Sequence, residues 1–294
     1  MSKIFNDVLS IQDMLPFFSE SRFADDFILH TRLESTNDTA KELAMSGAKH
    51  GTIIMADSQS AGRGRFGRSF YSPPGSGIYI SFILYPSMRY FEDNPFSVTA
   101  YAAVSVCKAI EKTTGKYPQV KWVNDILLNG KKICGILTES VMDSKSGGFL
   151  WVVVGIGINF IKPDAGYPEE LKNTAGSLFC GVTPTITRNE LTAELVNHML
   201  DTSHWSGNYI DEPYIFNDQI CDKIKCEDDS SVSIMLNEYR KRLMILGKRV
   251  IITGYNESYE AIALDIDVTG RLTVQKDNGE VYSICSGEIE INAV

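Results

Sequence analysis

Apolar residues recur with two periods along this chain. Alternation or short unbroken apolar runs mark strands at FILHTRLE from Phe27, TIIMAD from Thr52, GIYISFILY from Gly77, VKWVN from Val120 and WVVVGIGINF from Trp151. Between the first two, Ser35-Thr36-Asn37 is a helix N-cap signal for a helix through Ser46 that Gly47 closes. A helix over Ser97–Thr113, with Ala100, Ala102 and Ala103 allowing close packing on a sheet, ends at Gly115. DILL and KICGILTE flank Asn129-Gly130, a strong two-residue hairpin signal. Two more helices are predicted near Arg188–His204 and Val232–Leu246. After Gly247 only short strands follow, KRVIIT, YEAIALDID, RLTVQ and VYSIC, separated by Thr269-Gly270 and Asn278-Gly279 turns. The pattern predicts an α+β protein in three parts. Residues 27–246 form a mixed β-sheet with packed helices, and 247–294 a small all-β barrel. The lead-in, 1–26, is too short to fold alone and is expected to pack as a helix on the main body.

At 294 residues, with 44% hydrophobic and 22% charged content, the chain can build a sizeable core and is not disordered, collagen-like or a coiled coil. Its 28 basic and 37 acidic residues leave a net charge of −9, without the broad basic face that nucleic acid or an anionic membrane requires. No nucleic-acid or membrane partner is expected, and a bound anion should be small and locally held. The longest uncharged apolar stretch, Phe149 to Ile161, has 13 residues, short of the ~20 that cross a bilayer. The N-terminus carries acids where a signal peptide needs an apolar segment, so a cytoplasmic location is expected. Six cysteines, at 107, 134, 180, 221, 226 and 285, read as free thiols in a reducing compartment. There is no CxxC or HExxH, and Cys221 and Cys226, with His198 and His204 upstream, read as structural rather than zinc-binding.

Chemistry is concentrated in two segments. In SQSAGRGRFGRSF, residues 58–70, Arg63, Arg65 and Arg68 alternate with Gly62, Gly64 and Gly67, and no Asp or Glu occurs from Ser58 to Phe91. Glycine lets backbone amides approach an anion and arginine supplies forked donors for phosphate. Taken alone, the segment also fits a flexible surface loop or an arginine-glycine RNA-binding stretch. In VKWVNDILLNGKKICGILTES, residues 120–140, strand alternation sends Lys131 and Lys132 to opposite faces, and both faces are apolar, so one lysine should point into the body. Such a lysine needs an anion, which is either Asp125 across the hairpin or a bound carboxylate or phosphate.

Together these segments resemble the biotin protein ligase family. Its members carry a GRGRxGR loop, then KWPND, a lysine before a GIL run, and a GIGxN strand. Here these are Gly62 to Arg68, Lys121 to Asp125, Lys132 with Gly135-Ile136-Leu137, and Gly155 to Asn159, with Ser35-Thr36-Asn37 and Gln59 matching two further family elements. The resemblance is strong from about Leu29 to Phe160 and weaker at Ser286-Gly287-Glu288-Ile289. It implies a biotin/lipoate ligase-like core followed by an SH3-like β-barrel. Val123 stands where the family usually has proline, which removes a fixed φ and puts the rigidity of that loop in question. The lead-in is too short for the winged-helix DNA-binding domain of the repressor-type members, which implies the monofunctional kind.

The resemblance further implies ATP-dependent activation of biotin as biotinyl-5′-AMP and transfer to a lysine of a biotin carboxyl carrier domain. Lys132, Arg65, Lys121 and Asp125 are the implied catalytic residues. Biotin would lie among Ser35, Thr36, Asn37, Gln59, Arg63, Gly64, Arg65, Lys132 and Gly135. Arg63, Arg65, Arg68, Phe70, Lys121 and Asn159 would take ATP and its phosphates, with Asn159 helping to hold Mg²⁺. Closing the arginine loop over the mixed anhydride would keep water out. A homodimer is compatible with the pattern. The rival readings are a lipoate-type ligase, whose arginine-serine-glycine loop and histidine-aspartate pair are not evident here, and a non-catalytic biotin-binding regulator.

Overall fold

A computed structural model of the protein describes residues 7–85, 95–142, 149–201, 230–253, 258–267, 270–284 and 288–291. Its centre is a seven-stranded mixed sheet made of β1 (Phe27–Leu33), β2 (Ile53–Gln59), β3 (Gly77–Leu84), β4 (Gln119–Lys121), β5 (Asp125–Leu128), β6 (Lys131–Met142) and β7 (Phe149–Asn159). The strand order is β1-β2-β3-β7-β6-β5-β4, with β1 and β2 parallel and all other neighbours antiparallel. The β5–β6 turn follows its sequence signal: Asn129 and Gly130 both adopt positive φ, 51° and 74°, as a two-residue hairpin demands.

Helices α1 (Ile11–Met14), α2 (Thr36–Met45), α3 (Pro95–Thr114), α4 (Arg188–Met199) and α5 (Ser230–Arg242) cover this sheet unequally. The parity of the strands explains how. Ile53, Met55, Ile78, Ile80, Phe82, Val152, Val154, Ile156 and Ile158 lie on one face and form a single buried cluster with the apolar sides of α3 and α4. The alternate residues face the other way. At one end of that second face, Ile54, Ile83, Trp151 and Val153 pack against Ala40 and Ala44 of α2.

Three expectations are corrected. The lead-in is not one helix: α1 lasts a single turn and gives way to 3-10 turns at Leu15–Phe17 and Ser21–Ala24, because Pro16 has no N–H to continue an α-helix. It is strapped to α4 by side chains that imitate backbone. Asn189 accepts from Ser10 N and donates to the Val8 carbonyl, and Asn197 does the same for Ser19 N and the Phe17 carbonyl. The helix expected from Arg188 to His204 ends at Met199, and His204 lies outside the described residues. The helix expected to reach Leu246 stops at Arg242, where Leu243 bridges Val120 and Met244 N donates to the Val120 carbonyl.

The C-terminal strands β8 (Arg249–Thr253), β9 (Ser258–Ile266), β10 (Leu272–Gln275), β11 (Val281–Ile284) and β12 (Glu288–Ile291) form one antiparallel sheet in the order β11-β10-β9-β8-β12. Strand pattern alone marked four of these five. Among the described residues no pairing joins the outer strands β11 and β12 into a closed barrel. This sheet and the main body share one apolar core, and the Trp122 indole N–H donates to the Gly270 carbonyl across the junction at 3.2 Å. Cys107 and Cys134 are buried free thiols and Cys180 an exposed one; Cys221, Cys226 and Cys285 lie outside the described residues.

His50 ends the turn after α2, and its Nδ1 accepts from Tyr85 N at 3.0 Å. Burial, with help from the Arg22 charge, pushes the imidazole down to about 4. Because the unfolded chain takes up this proton first, stability is fully present above the ordinary histidine value of ~6.5 and is lost as pH falls toward 4. Urea midpoints should therefore drop over that window, by about 3 kcal/mol at most from this group. His50→Gln should flatten that part of the profile; an unchanged slope would assign the acid sensitivity elsewhere.

Candidate functional site

Beyond α2 the second sheet face is built mostly of glycine and small polar residues, with Tyr79 and Leu137 beside them. Register places Gly77, Tyr79 and Ser81 of β3 opposite Asn159, Gly157 and Gly155 of β7, and Gly157 and Gly155 opposite Gly135 and Leu137 of β6. All four of these glycines have a neighbour where a Cβ would stand, Gly77 the Tyr79 hydroxyl at 2.4 Å. A Cβ on Gly155 would stand 2.0 Å from Asn37 Oδ1, and one on Gly157 would stand 2.5 Å from the Phe70 ring. One on Gly135 would meet Phe70 Cε2 at 3.2 Å and Lys132 Nζ at 3.3 Å. The missing Cβ atoms thus let Asn37 of α2, Phe70 of the arginine loop and Lys132 of β6 come down against the sheet backbone, and the face these three enclose is the candidate slot.

The α2 wall begins with the predicted cap: Ser35 Oγ accepts from Asp38 N. Thr36 N and Oγ1 both donate to Gln59 Oε1, at 2.8 and 3.1 Å, and Gln59 Nε2 donates to Ser72 Oγ at 2.9 Å. Ser81, fully buried on β3, lies 2.8 Å from Thr36 Oγ1 and 2.7 Å from Asn37 Oδ1. Asn37 Nδ2 donates to the Leu137 carbonyl and to Glu139 Oε2. Counting protons among these bonds, Ser35 keeps its hydroxyl hydrogen and Gln59 one amide hydrogen. Asn37 has given both of its own and acts as a strut.

A bulge in β6 decides where its lysines go. Asp125 pairs with Gly135 and Ile126 with Cys134, but Leu127 pairs with Lys132, so Ile133 is an extra residue. Paired residues share a face, and Lys132 therefore lies on the side of Gly135 and Asp125. Strict alternation would have separated Lys132 from Gly135. Lys132 Nζ pairs with Asp125 Oδ1 at 2.6 Å, half-exposed beside the slot. Lys131 turns outward, where its Nζ donates to the Asn173 carbonyl.

The arginine loop is a folded hairpin. Phe70 N donates to the Gly62 carbonyl, Gly64 N to the Arg68 carbonyl, and Arg63 bridges Ser69. Gly62 is required, since a Cβ there would stand 2.5 Å from the Phe70 carbonyl oxygen. Phe66 at the tip has φ of 56°. Arg65 Nη1 donates to Asn124 Oδ1 at 3.1 Å and its guanidinium lies over the Phe66 ring. Arg63 Nη1 pairs with Asp38 at 2.5 Å and Nη2 lies 3.7 Å from Glu139, which Lys41 also bridges to Asp38. Burial works to raise the Asp38 carboxyl, but hydrogen bonds from Lys41 and Arg63 outweigh it and hold it below its usual range.

The structure thus gathers Ser35, Thr36, Asn37, Gln59, Phe70, Lys132, Gly135 and Asp125 around the slot. It turns Arg63 onto Asp38, leaves Arg68 exposed in the loop, and sets Lys121 opposite Asp125 in the β4–β5 ladder. Sequence reasoning missed Ser81, Glu139 and Asn124, which join the segments but sit in no glycine or arginine pattern. Asn159 Nδ2 donates to the Gly176 carbonyl, leaving one neutral oxygen, and no cluster of acidic, histidine or cysteine side chains among the described residues could hold a metal ion. That donor set fits magnesium carried in on phosphates, not a resident metal. Gly155→Ala should destabilise the chain by about 2 to 4 kcal/mol, because Asn37 must leave its bonds. The urea midpoint measures this; an unchanged midpoint would show that Asn37 has room to move.

The Biotin/lipoate A/B protein ligase family profile matches residues 29–159 and the Biotin protein ligase C terminal domain matches residues 245–291. The bifunctional ligase/repressor BirA of Bacillus subtilis (strain 168) is 42% identical over 59% of this chain and 51% of its own length. The biotin--[acetyl-CoA-carboxylase] ligase of Paracoccus denitrificans is 35% identical over 56% of this chain and 64% of its own. A mutant biotin protein ligase from Aquifex aeolicus, solved in complex with biotin, is 25% identical with a TM-score of 0.69, covering 91% of this chain and 98% of that one. The chain spans about half the length of the first curated relatives it matches. The slot, the arginine hairpin and Lys132 all fall within the first matched segment and the five-stranded sheet spans the second; with both segments present in order, the chain belongs to the biotin protein ligase family.

Proposed function

We propose that this protein is an ATP-dependent, AMP-forming ligase that activates biotin and transfers it to a lysine of a biotin carboxyl carrier domain. The observation that carries the reading is the placement of Lys132 by the β6 bulge, on the glycine-floored face and beside Gly135 and Phe70. A long, flat, mostly apolar acid with one polar ring and one carboxylate suits a slot with such a floor. The unspent hydrogens of Ser35 and Gln59 offer donors to the ureido oxygen at one end. Lys132 meets the carboxylate at the other.

In the first step the biotin carboxylate oxygen attacks the α-phosphorus of ATP and pyrophosphate leaves. Two anions must meet, so Lys132, Lys121 and the loop arginines supply positive charge where it is needed in the transition state, with magnesium entering on the nucleotide. Asp125 keeps Lys132 oriented until the carboxylate arrives. In the second step a neutral carrier lysine attacks the acyl carbon and AMP leaves with the bonding pair. Arg65, held by Asn124, covers the anhydride between the steps.

The catalytic unit on this reading is 27–246 and the C-terminal unit 247–294. No described helix is long and apolar enough to cross a membrane, and we assign the protein to the cytoplasm. Beyond Ile136 the outer edge of β6 has no strand partner among the described residues and offers one edge for a second copy, as does the outer edge of β1.

Incubation with biotin, MgATP and a carrier domain should add the mass of one biotinyl group to that domain; pyrophosphate release with lipoate but not biotin would overturn the assignment. Lys132→Ala should cut adenylate formation by 3 to 4 kcal/mol, roughly 10²- to 10³-fold, whereas Lys131→Ala should leave it nearly unchanged. Equal rates in the two variants would contradict the bulge-based face assignment. Arg65→Gly should slow adenylate synthesis far less than Lys132→Ala does, since Lys132, Lys121 and magnesium still serve that step, yet let the anhydride escape, so that serum albumin added to the reaction becomes biotinylated more than with the unsubstituted chain. Equal albumin labelling at a normal synthesis rate would remove Arg65 from the covering role.

A further inference from the structure

The turn between β4 and β5 ends on Asn124 and Asp125 opens β5, and both reach the site: Asn124 Oδ1 accepts from Arg65 Nη1 and Asp125 pairs with Lys132. Asn124 is tied to β6 as well, its Nδ2 donating to the Ile136 carbonyl at 2.8 Å and its own carbonyl accepting from Ile136 N at 3.0 Å. One further bond to this turn comes from α5. Tyr239, fully buried, donates its hydroxyl to the Val123 carbonyl at 2.9 Å across 116 residues of sequence. Residue 239 lies outside both matched segments.

The Val123 carbonyl and the Asn124 N–H belong to one planar peptide unit. A donor fixed on that carbonyl therefore sets the tilt of the unit from which the Asn124 side chain departs. Valine has a free φ, so this tilt is held by contacts rather than by a ring. A buried phenol needs some acceptor, and a helix carbonyl of its own element would satisfy it. The acceptor here is instead the turn whose next residue holds Arg65.

We infer that Tyr239 is a positioning residue of the candidate site: its hydroxyl orients the Val123–Asn124 peptide and, through Asn124, places the Arg65 guanidinium. The consequence for catalysis rests on the ligase reading, but the placement itself does not. Tyr239→Phe removes one oxygen and keeps the ring in the core. Without substrates, trypsin should cut after Arg65 about tenfold faster in Tyr239→Phe, because the hairpin has lost its hold on Asn124. With biotin, MgATP and albumin, the variant should label albumin as Arg65→Gly does, and the double variant should label it no more than either single one, since both break one relay. Pyrophosphate release should stay within about threefold of the unsubstituted chain.

Unchanged trypsin cutting, or albumin labelling that adds up in the double variant, would overturn the inference. A Tyr239→Phe chain that fails to fold would also overturn it, because the hydroxyl would then serve the core and not the turn. If the unsubstituted chain releases no pyrophosphate from biotin and MgATP, the ligase reading fails, and the trypsin comparison alone still decides the positioning role.

Discussion

The constraint on which the rest of the site depends is the absence of Cβ atoms at Gly135, Gly155 and Gly157 on one face of the central sheet. Sheet faces in this protein are otherwise packed with Ile, Val and Phe, and a helix or another apolar layer must cover them. Where side chains are missing, the space over the backbone is left to whatever crosses above. Asn37 and Phe70 reach down into part of that space. A single methyl group at these positions would close the slot, whatever polar groups line it.

The charges follow a second constraint. An acidic chain that gathers arginines and lysines around a slot must hold them where an anion will need them, and each of the central ones already has a polar partner. Lys132 is paired with Asp125, Arg63 with Asp38, and Arg65 with Asn124. These partners are a carboxylate, a second carboxylate and a neutral amide, in exposed or half-exposed settings where such bonds are weak enough to exchange. Preorganised cations that trade one partner for another avoid the cost of leaving a charge unsatisfied.

The third feature is that the site is held from outside its own strands. The β4–β5 turn touches the C-terminal sheet through Trp122 and Gly270, and α5 through Tyr239. The far end of the arginine loop is held by a different route: Gly75 N donates to Asp57, and Asp57 pairs with the buried Arg188 of α4, which also binds Asp7 of the lead-in. Elements with no chemistry of their own thereby fix the two sides of the slot.

Much of this was legible in the sequence because it is local. The hydrophobic periods, the Ser35 cap and the Asn129-Gly130 turn each depend on a few adjacent residues, and so the strands and helices of the main sheet fall close to where the pattern puts them. Glycine and arginine are unusual enough in such a pattern that the loop and the GIGIN strand declared themselves as chemistry. The partners of those residues could not be read, since Ser81, Asn124, Glu139 and Tyr239 are ordinary residue types whose importance comes from what lies across the fold. The side on which Lys132 emerges was also beyond reach. Alternation predicts that it and Gly135 face apart, and only the pairing of β5 with β6, in which Ile133 is one residue too many on β6, opposite the step from Ile126 to Leu127, turns them to the same side. Periodicity is a property of one strand, whereas a bulge is a property of two.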